Sequence, residues 1–255
     1  MPEANYSKGE IMAAAGAREI KDGQNIVVGL GLPQVAALLA KNTHAPNISM
    51  INEQGVVGFS PVDPAVGMAD PRMWYKATYF NSFIGTLGSF LHRGKVDIGF
   101  LGALEVDQFG NMNSTMVGGP GNTIRHFTGS GGANDIASLA KNIMIIMRHE
   151  KRKLRAAVQY ITSPGYLGEG NLRQSTGLKG GGPWRVITDK AVLGFDRARG
   201  RMKLLSIHPG VELDDVLENT GFELLRDEQL PATVPPTAEE LKLLREVIDP
   251  TGMYI

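Results

Sequence analysis

The sequence predicts an α/β domain built on a mainly parallel sheet, with flanking helices and an additional group of antiparallel strands. Two apolar segments, 26–28 and 48–52, are separated by a helical segment at 35–41. This order is a β-α-β unit, which favours parallel pairing and a right-handed crossover. Short strand-like segments near the end of the chain, two of them joined by a turn at 197–200, predict antiparallel pairing instead. We treat residues 1–255 as one domain because no repeat or long linker interrupts the pattern.

The remaining elements follow from capping residues and apolar runs. A serine or threonine followed three residues later by glutamate is a capping box, and the chain has two (Ser7 with Glu10, and Thr237 with Glu240). Residues 59–80 contain prolines among aromatic side chains, and we expect them to be irregular. The expected helices are 7–21, 212–218 and 237–247, and the further expected strands are 96–103, 143–147, 158–162, 185–188, 191–195 and 202–207.

Composition excludes several classes of function. The chain has 26 Lys and Arg against 26 Asp and Glu, so its net charge is zero, which argues against a nucleic-acid partner. It has no cysteine, which excludes disulfides and thiolate chemistry. Its histidines lack metal-ligand spacing, so we expect no metal. No apolar run approaches the ~20 residues of a membrane span, and residues 1–5 lack a signal pattern. We therefore expect a cytoplasmic protein without membrane association.

Glu53 is the most informative single residue. It directly follows the apolar segment 48–52, where an unpaired carboxylate is costly if it is buried. Gly55 and Gly58 follow, and they let the backbone come close to whatever the carboxylate faces. The pattern indicates an acid presented to a bound molecule at the carboxyl end of a strand. An exposed acid, or an acid that caps the following turn, fits the same position.

A dinucleotide-binding unit has a similar layout, with a strand, a Gly-rich turn, a helix and a second strand that ends in an acid. In that alternative Glu53 would hold a ribose. The fingerprint needs a third small residue where this chain has Gln34, and Pro33 departs from the usual turn. A serine hydrolase has no support, because the sequence contains no Gly-x-Ser-x-Gly motif.

Three further segments are candidates for chemistry. Glu105 lies between apolar residues near a strand end, whereas Asp107 fits an ordinary turn with the residues after it. Gly131 and Gly132 belong to the Gly-rich loop 129–135, whose amides could face a developing anion; a loose loop is the simpler alternative. A basic cluster could reach the phosphates of a long cofactor or form a solvated face, and it comprises Arg148, Lys151, Arg152, Lys153 and Arg155.

Seven segments stand out in order along the chain: VGLGLP at 28–33, NEQGVVG at 52–58, GALEVDQFGNMN at 102–113, FTGSGGAN at 127–134, HEKR at 149–152, TSPG at 162–165 and DVLENTGF at 215–222. Together they resemble the β subunit of class I coenzyme A transferases, and within that family the glutaconate CoA-transferase type. Each segment alone is a weak signal, whereas the ordered set is specific and spans nearly the whole chain.

The resemblance implies an open α/β sheet with Rossmann-like connectivity and an α subunit as partner, in a heterodimer or a larger α/β oligomer. It implies transfer of CoA between an acyl-CoA and a carboxylic acid through a glutamyl-CoA thioester. CoA is then a substrate, and no cofactor is permanently bound. Glu53 matches the catalytic glutamate of the family. The candidate amide donors to the reaction's oxyanion are Gly29, Gly31, Gly131 and Gly132.

Two positions depart from the family pattern. Gln54 stands where many members have Asn or Ser, and Glu105 stands where many have a Gln near the reacting carbonyl. A carboxylate cannot donate a hydrogen bond unless it is protonated. Glu105 therefore leaves a CoA-thioester hydrolase or decarboxylase open as an alternative to a transferase. A noncatalytic subunit of such a complex is the other alternative, and the sequence does not identify the acyl group.

Overall fold

A computed structural model describes residues 5–119, 121–170 and 172–255. The strands are β1 (Asn25–Val27), β2 (Ser49–Ile51), β3 (Val56–Phe59), β4 (Tyr79–Phe80), β5 (Ile98–Leu101), β6 (Glu105–Asp107), β7 (Met112–Asn113), β8 (Met116–Gly119), β9 (Asn122–His126), β10 (Asn142–Ile146), β11 (Leu154–Arg155), β12 (Pro183–Ile187), β13 (Ala191–Asp196) and β14 (Arg201–Ile207). The α-helices are α1 (Lys8–Arg18), α2 (Leu32–Asn42), α3 (Ala133–Leu139), α4 (Leu213–Glu218) and α5 (Ala238–Leu243). Two 3₁₀ segments, Pro71–Trp74 and Gln174–Thr176, and two π-helical segments, Ile84–Leu91 and Leu244–Ile248, complete the described elements.

The central sheet has nine strands in the order β14-β13-β12-β10-β5-β1-β2-β3-β4. Its five middle strands pair in parallel, and both edges are antiparallel. The predicted β-α-β unit is confirmed, because β1 pairs in parallel with β2 and places Ile26 opposite Met50. The predicted antiparallel group is confirmed in β12, β13 and β14. The second antiparallel edge, formed by β3 and β4, adds to the prediction.

Both predicted capping boxes are present. At the first, the Ser7 hydroxyl accepts the N–H of Glu10 at 3.1 Å, and the Glu10 carboxylate accepts the N–H of Ser7 at 2.6 Å. α1 ends at Arg18, before the expected end at 21, because the next two N–H groups bond to carbonyls three residues back rather than four. Such a tight turn closes the α-helical ladder.

The predicted strand at 158–162 is wrong. The middle of the segment is exposed, and the N–H of Gln159 donates to the Glu105 carboxylate at 3.1 Å instead of to a neighbouring strand. Its β-branched and aromatic residues suit a pleated surface, but that preference depends on a neighbouring strand. The last residue, Thr162, donates its N–H to the carbonyl of Met112 at 2.9 Å. The segment therefore touches β7 at one end and is otherwise irregular.

Alternating side chains along the parallel strands supply two hydrophobic clusters, one on each face of the sheet. In β1 and the residue after it, Ile26 and Val28 belong to the first cluster and Val27 to the second. The apolar residues of β10 divide in the same way. Residues of α1 and α2 complete the first cluster, and residues of α3 complete the second. Because helices cover both faces, the strand ends are the accessible part of the parallel sheet.

His149 is buried just after β10. It is 2% exposed, and its two ring nitrogens lie 2.9 Å from the hydroxyl oxygens of Thr188 and Thr220. Burial disfavours the imidazolium ion and lowers the pKa of His149 to about 4. The neutral ring therefore joins the ends of three elements, namely β10, β12 and α4.

We expect the protein to lose stability as the pH falls from about 6.5, the pKa of an unfolded histidine, to about 4, the pKa of folded His149. Over that window the unfolded state binds the proton more tightly, so the free energy of unfolding falls by up to about 3 kcal/mol. Urea unfolding of wild type and His149→Gln across this pH range measures the difference. The exposed His92→Gln is the control. Parallel pH dependences for wild type and His149→Gln would contradict the assignment.

Candidate active site

The candidate active site is a cleft of about 370 Å³ at the carboxyl ends of β1 and β5. These strands are neighbours, but the chain continues from β1 to β2 on one side and from β5 to β10 on the other. A parallel sheet opens a crevice at such a topological switch point, and ligands of α/β proteins bind there. Residues at the two strand ends line the cleft, among them Val28, Gly29, Leu101 and Gly102.

Glu53 lines the same cleft from the turn between β2 and β3. Asn52 holds this turn, because its side-chain oxygen accepts the N–H of Val56 at 3.0 Å and its own N–H donates to the Val56 carbonyl at 3.0 Å. Gly55 has a φ of 108°, which side chains other than hydrogen rarely allow. Glu53 is half-buried, and Asn52 caps the turn. The structure therefore does not support the alternatives of a fully exposed acid or an acid that caps the turn.

A Gly-rich loop before α3 faces Glu53. The N–H of Gly132 donates to Glu53 Oε2 at 3.3 Å, and Gly131 lines the cleft. Ser114 holds the loop from behind, since its hydroxyl donates to the Gly129 carbonyl at 2.8 Å. The loop is thus tied to its surroundings, and one carboxylate oxygen of Glu53 has a defined partner.

The structure divides the residues that the sequence predicted for the site. Four of them meet at the cleft: Glu53, Gly29, Gly131 and Gly132. Gly31 precedes α2 and lies outside the cleft lining; its carbonyl accepts the N–H of Gln34 at 2.9 Å. Glu105 also lies outside the lining. The catalytic and oxyanion roles given to these residues stay predictions.

Glu105 is held in a hydrogen-bond network of its own. Its side chain is 4% exposed and accepts from Arg155 Nη1 at 2.8 Å. It also accepts from Asn113 Nδ2 at 2.7 Å and from the N–H of Gln159 at 3.1 Å. Charge-assisted bonds of this kind are strong and orient a carboxylate. Glu105 therefore braces the small sheet of β6, β7 and β11, and its charge is directed toward a cation of this chain.

Gln34 lies where a dinucleotide site needs a small residue. Its side chain is fully buried and accepts the N–H of Ala65 at 2.9 Å, which anchors the irregular segment 59–80 against α2. A side chain of this size removes the close helix approach that the dinucleotide fingerprint needs. Apart from Pro71–Trp74 and β4, that segment is irregular after β3 ends, as predicted.

The basic cluster mostly contacts acids of this chain. Arg148 pairs with Asp189, Arg152 and Lys153 pair with Glu150, and Arg155 pairs with Glu105. Lys151 is exposed. These pairs favour the interpretation of the cluster as a solvated face.

Sequence reasoning missed part of the cleft wall, namely Met68, Phe100, Ser114, Thr128 and Ser130. A signal existed for three of them. Thr128 and Ser130 fall within the segment 127–134, and Ser114 directly follows the segment 102–113. Met68 comes from the irregular segment 59–80, where periodicity gives no indication of which side chains face inward.

Sequence comparison identifies the class of protein that this fold and cleft define. Residues 10–219 match the coenzyme A transferase family, and the chain belongs to that family. It is 38% identical to the B-type subunit of glutaconate CoA-transferase from Acidaminococcus fermentans, over 98% of this chain and 96% of that protein. It is 36% identical to the B-type subunit of 3-oxoadipate CoA-transferase from Pseudomonas knackmussii, over 94% of this chain and 92% of that protein.

Structural comparison gives the same answer. The crystal structure of glutaconate coenzyme A-transferase from Acidaminococcus fermentans matches with a TM-score of 0.91 and 38% identity, and the match covers 98% of each chain. The fold class and the family resemblance predicted from the sequence are confirmed. Among the described helices, none is both long enough and apolar enough to cross a bilayer.

We expect Glu105→Gln to lower the free energy of unfolding by about 1–3 kcal/mol. The amide would place an N–H₂ group among donors and would leave the Arg155 charge without its partner. Urea unfolding measures the change, with Glu150→Gln as the control because its ion pairs lie at the surface. Equal unfolding midpoints for Glu105→Gln and wild type would show that the network does not stabilise the fold.

Proposed function

We propose that this chain is the β subunit of an acyl-CoA:carboxylate CoA-transferase in which Glu53 forms a thioester with CoA. The observation that carries the proposal is the half-buried Glu53 carboxylate, which lines the cleft at the switch point and receives the Gly132 N–H at 3.3 Å. The similarity to two proteins named as B-type subunits of CoA-transferases supports it. Acyl-CoA and a carboxylic acid are the substrates, and CoA itself is the group transferred.

The chemistry begins at Glu53, because a carboxylate can act as a nucleophile without a partner base. Its oxygen attacks the thioester carbonyl of the donor, the C–S bond breaks, and CoA leaves as thiolate from an acyl-glutamyl anhydride. The thiolate attacks the glutamyl carbonyl, which releases the donor acid as carboxylate and leaves a glutamyl-CoA thioester. The acceptor carboxylate then attacks that thioester, and the expelled thiolate takes the acyl group and restores Glu53.

Every addition in this sequence passes through a tetrahedral oxyanion, which preorganised N–H donors stabilise. The cleft offers the loop of Gly131 and Gly132 on one side and Gly29 on the other. Apolar side chains such as Phe100 and Ile136 form much of the remaining wall. Such a wall limits the access of water, which would otherwise hydrolyse the anhydride and the thioester.

The partner in this proposal is an α subunit that completes the cleft. Exposed aromatic and aliphatic side chains gather on and around the edge strand β4, including Trp74, Tyr75, Tyr79, Phe80, Phe83 and Ile84. Exposed apolar patches on a sheet edge mark interaction surfaces. We place the α subunit against this edge, because β4 pairs with β3, which directly follows the Glu53 turn. A cytoplasmic location fits the proposed acyl-CoA substrate.

Glu105 was the motive for the alternative of a hydrolase or decarboxylase. Its carboxylate contacts Arg155, Asn113 and the backbone of Gln159 rather than the cleft. The observation that favoured those reactions therefore supports a structural brace instead. Glu53 in the cleft favours the transferase over a noncatalytic subunit.

Covalent trapping tests the role of Glu53. We expect the reconstituted α/β complex, incubated with acyl-CoA and then reduced with borohydride, to yield one modified peptide with the change at Glu53, because borohydride reduces a thioester and leaves carboxylates intact. Mass spectrometry of the digested chain measures it. Glu53→Gln removes both the modification and turnover, whereas the exposed Glu228→Gln keeps both.

The same incubation with this chain alone is expected to leave Glu53 unmodified, since one wall of the cleft is missing. An active complex with unmodified Glu53 would overturn the proposed nucleophile. Modification of the isolated chain at the rate of the complex would overturn the need for the partner.

A methyl group at Gly132 tests the position of the carboxylate. A Cβ there would lie 2.6 Å from Glu53 Oε2 and 2.9 Å from Leu87 Cδ1, both at the ends of flexible side chains. The fold can yield, but the carboxylate must move, and we expect Gly132→Ala to form the thioester about 100-fold more slowly at a nearly unchanged melting temperature.

Gly67→Ala is the matched control, because its Cβ meets nothing within 4 Å and its φ is ordinary. Stopped-time trapping gives the rates of thioester formation for both variants. A wild-type rate in Gly132→Ala would show that this contact does not set the geometry of attack.

A further inference from the structure

We propose that the acyl group handled at this site is uncharged and hydrophobic, so that the exchange runs between monocarboxylic acids with apolar chains. The inference rests on the proposed function and specifies its substrate class. The acyl chain lies in a side pocket that opens from the Glu53 cleft next to Leu104 and Phe127.

The side pocket has a volume of about 340 Å³ and is lined by Gly102, Ala103, Leu104, Ser114, Phe127 and Thr128. Three of these residues, Gly102, Ser114 and Thr128, also line the cleft that contains Glu53. The two cavities therefore share a wall. A thioester whose carbonyl carbon faces Glu53 can direct its acyl chain along that wall and away from the nucleophile.

The charges around both cavities favour an uncharged chain. Among the residues that the structure describes, Glu53 is the only ionisable one that lines either cavity, and no Lys, Arg or His does so. A second carboxylate in the side pocket would have no cation from these linings and would face the negative charge of Glu53. Moving an unpaired carboxylate out of water is costly, and so is placing like charges together.

The polar groups of the shared wall are already engaged in part. The Ser114 hydroxyl donates to the Gly129 carbonyl at 2.8 Å, and it holds the loop rather than a ligand. The strand β9 leads directly to Phe127, but its Arg125 and His126 are exposed and lie outside both linings. The remaining contacts of the side pocket come mainly from Ala103, Leu104 and Phe127.

Phe127 supplies a second observation. Its side chain is 45% exposed at the mouth of the side pocket, where it directly precedes Thr128 of the cleft wall. An aromatic ring in that place gains contact area when an apolar chain binds. Glutaconate and 3-oxoadipate, in the names of the two relatives, each carry a second carboxylate. The inference therefore separates this chain from those relatives in substrate.

The test compares acyl-CoA donors of equal chain length in the reconstituted complex with acetate as acceptor. We expect kcat/KM for butyryl-CoA to exceed that for succinyl-CoA, and valeryl-CoA to exceed glutaryl-CoA, by about 100-fold or more. Each added methylene from butyryl to hexanoyl is expected to raise kcat/KM about three- to fourfold. Borohydride trapping at Glu53 is recorded with every donor.

Leu104→Lys locates the effect in the side pocket. A cation there pairs with a second carboxylate and is expected to narrow the butyryl-to-succinyl ratio at least tenfold. Val234→Lys, at an exposed aliphatic position outside both cavities, is expected to leave the ratio unchanged. Thioester formation at Glu53 in both variants confirms that the complex is folded and active.

Three results would overturn the inference or its basis. If succinyl-CoA equals or exceeds butyryl-CoA while Glu53 still forms the thioester, the substrate class is wrong and the proposed transferase stands. If butyryl-CoA is preferred but Leu104→Lys does not change the ratio, the side pocket is not the acyl site. If no donor modifies Glu53, the proposed function itself fails.

Discussion

The structure depends on a short turn that holds a carboxylate at the edge of a hydrophobic sheet. Asn52 and Val56 close this turn with two hydrogen bonds of 3.0 Å, so Glu53 projects from the end of β2 instead of entering either core. A carboxylate is tolerated there because the cleft leaves it half-buried and the Gly132 N–H contacts one of its oxygens. Without that turn, the same residue would be an unpaired charge beside packed aliphatic side chains.

Two glutamates of this chain illustrate how surroundings divide their roles. Glu53 has one backbone donor and an open cleft beside it, whereas Glu105 has an arginine, an amide and a backbone N–H. A carboxylate with its lone pairs engaged is a structural ion, and one with an oxygen available to a ligand can act as a nucleophile. The difference arises from neighbours distant in sequence, and residue type alone does not reveal it.

The parts of the fold that were predictable are those set by local pattern. The capping boxes at Ser7 and Thr237 and the β-α-β unit follow from residues within one or two turns of each other. The segment 158–162 was wrong because its β-propensity needed a neighbouring strand, while its N–H at Gln159 is taken by a side chain. Within the site, the strand-end position of Glu53 was readable, but the partner of Glu105 lies 50 residues away.

The placement of the edge strand β4 has a consequence for the economy of the cell. β4 pairs with β3, which begins three residues after Glu53, so a subunit docked on that edge presses on the hairpin that holds the nucleophile. Assembly and reactivity are then coupled through one hairpin. A cell that makes the two polypeptides in unequal amounts would not waste energy-rich thioesters on orphan copies of this chain.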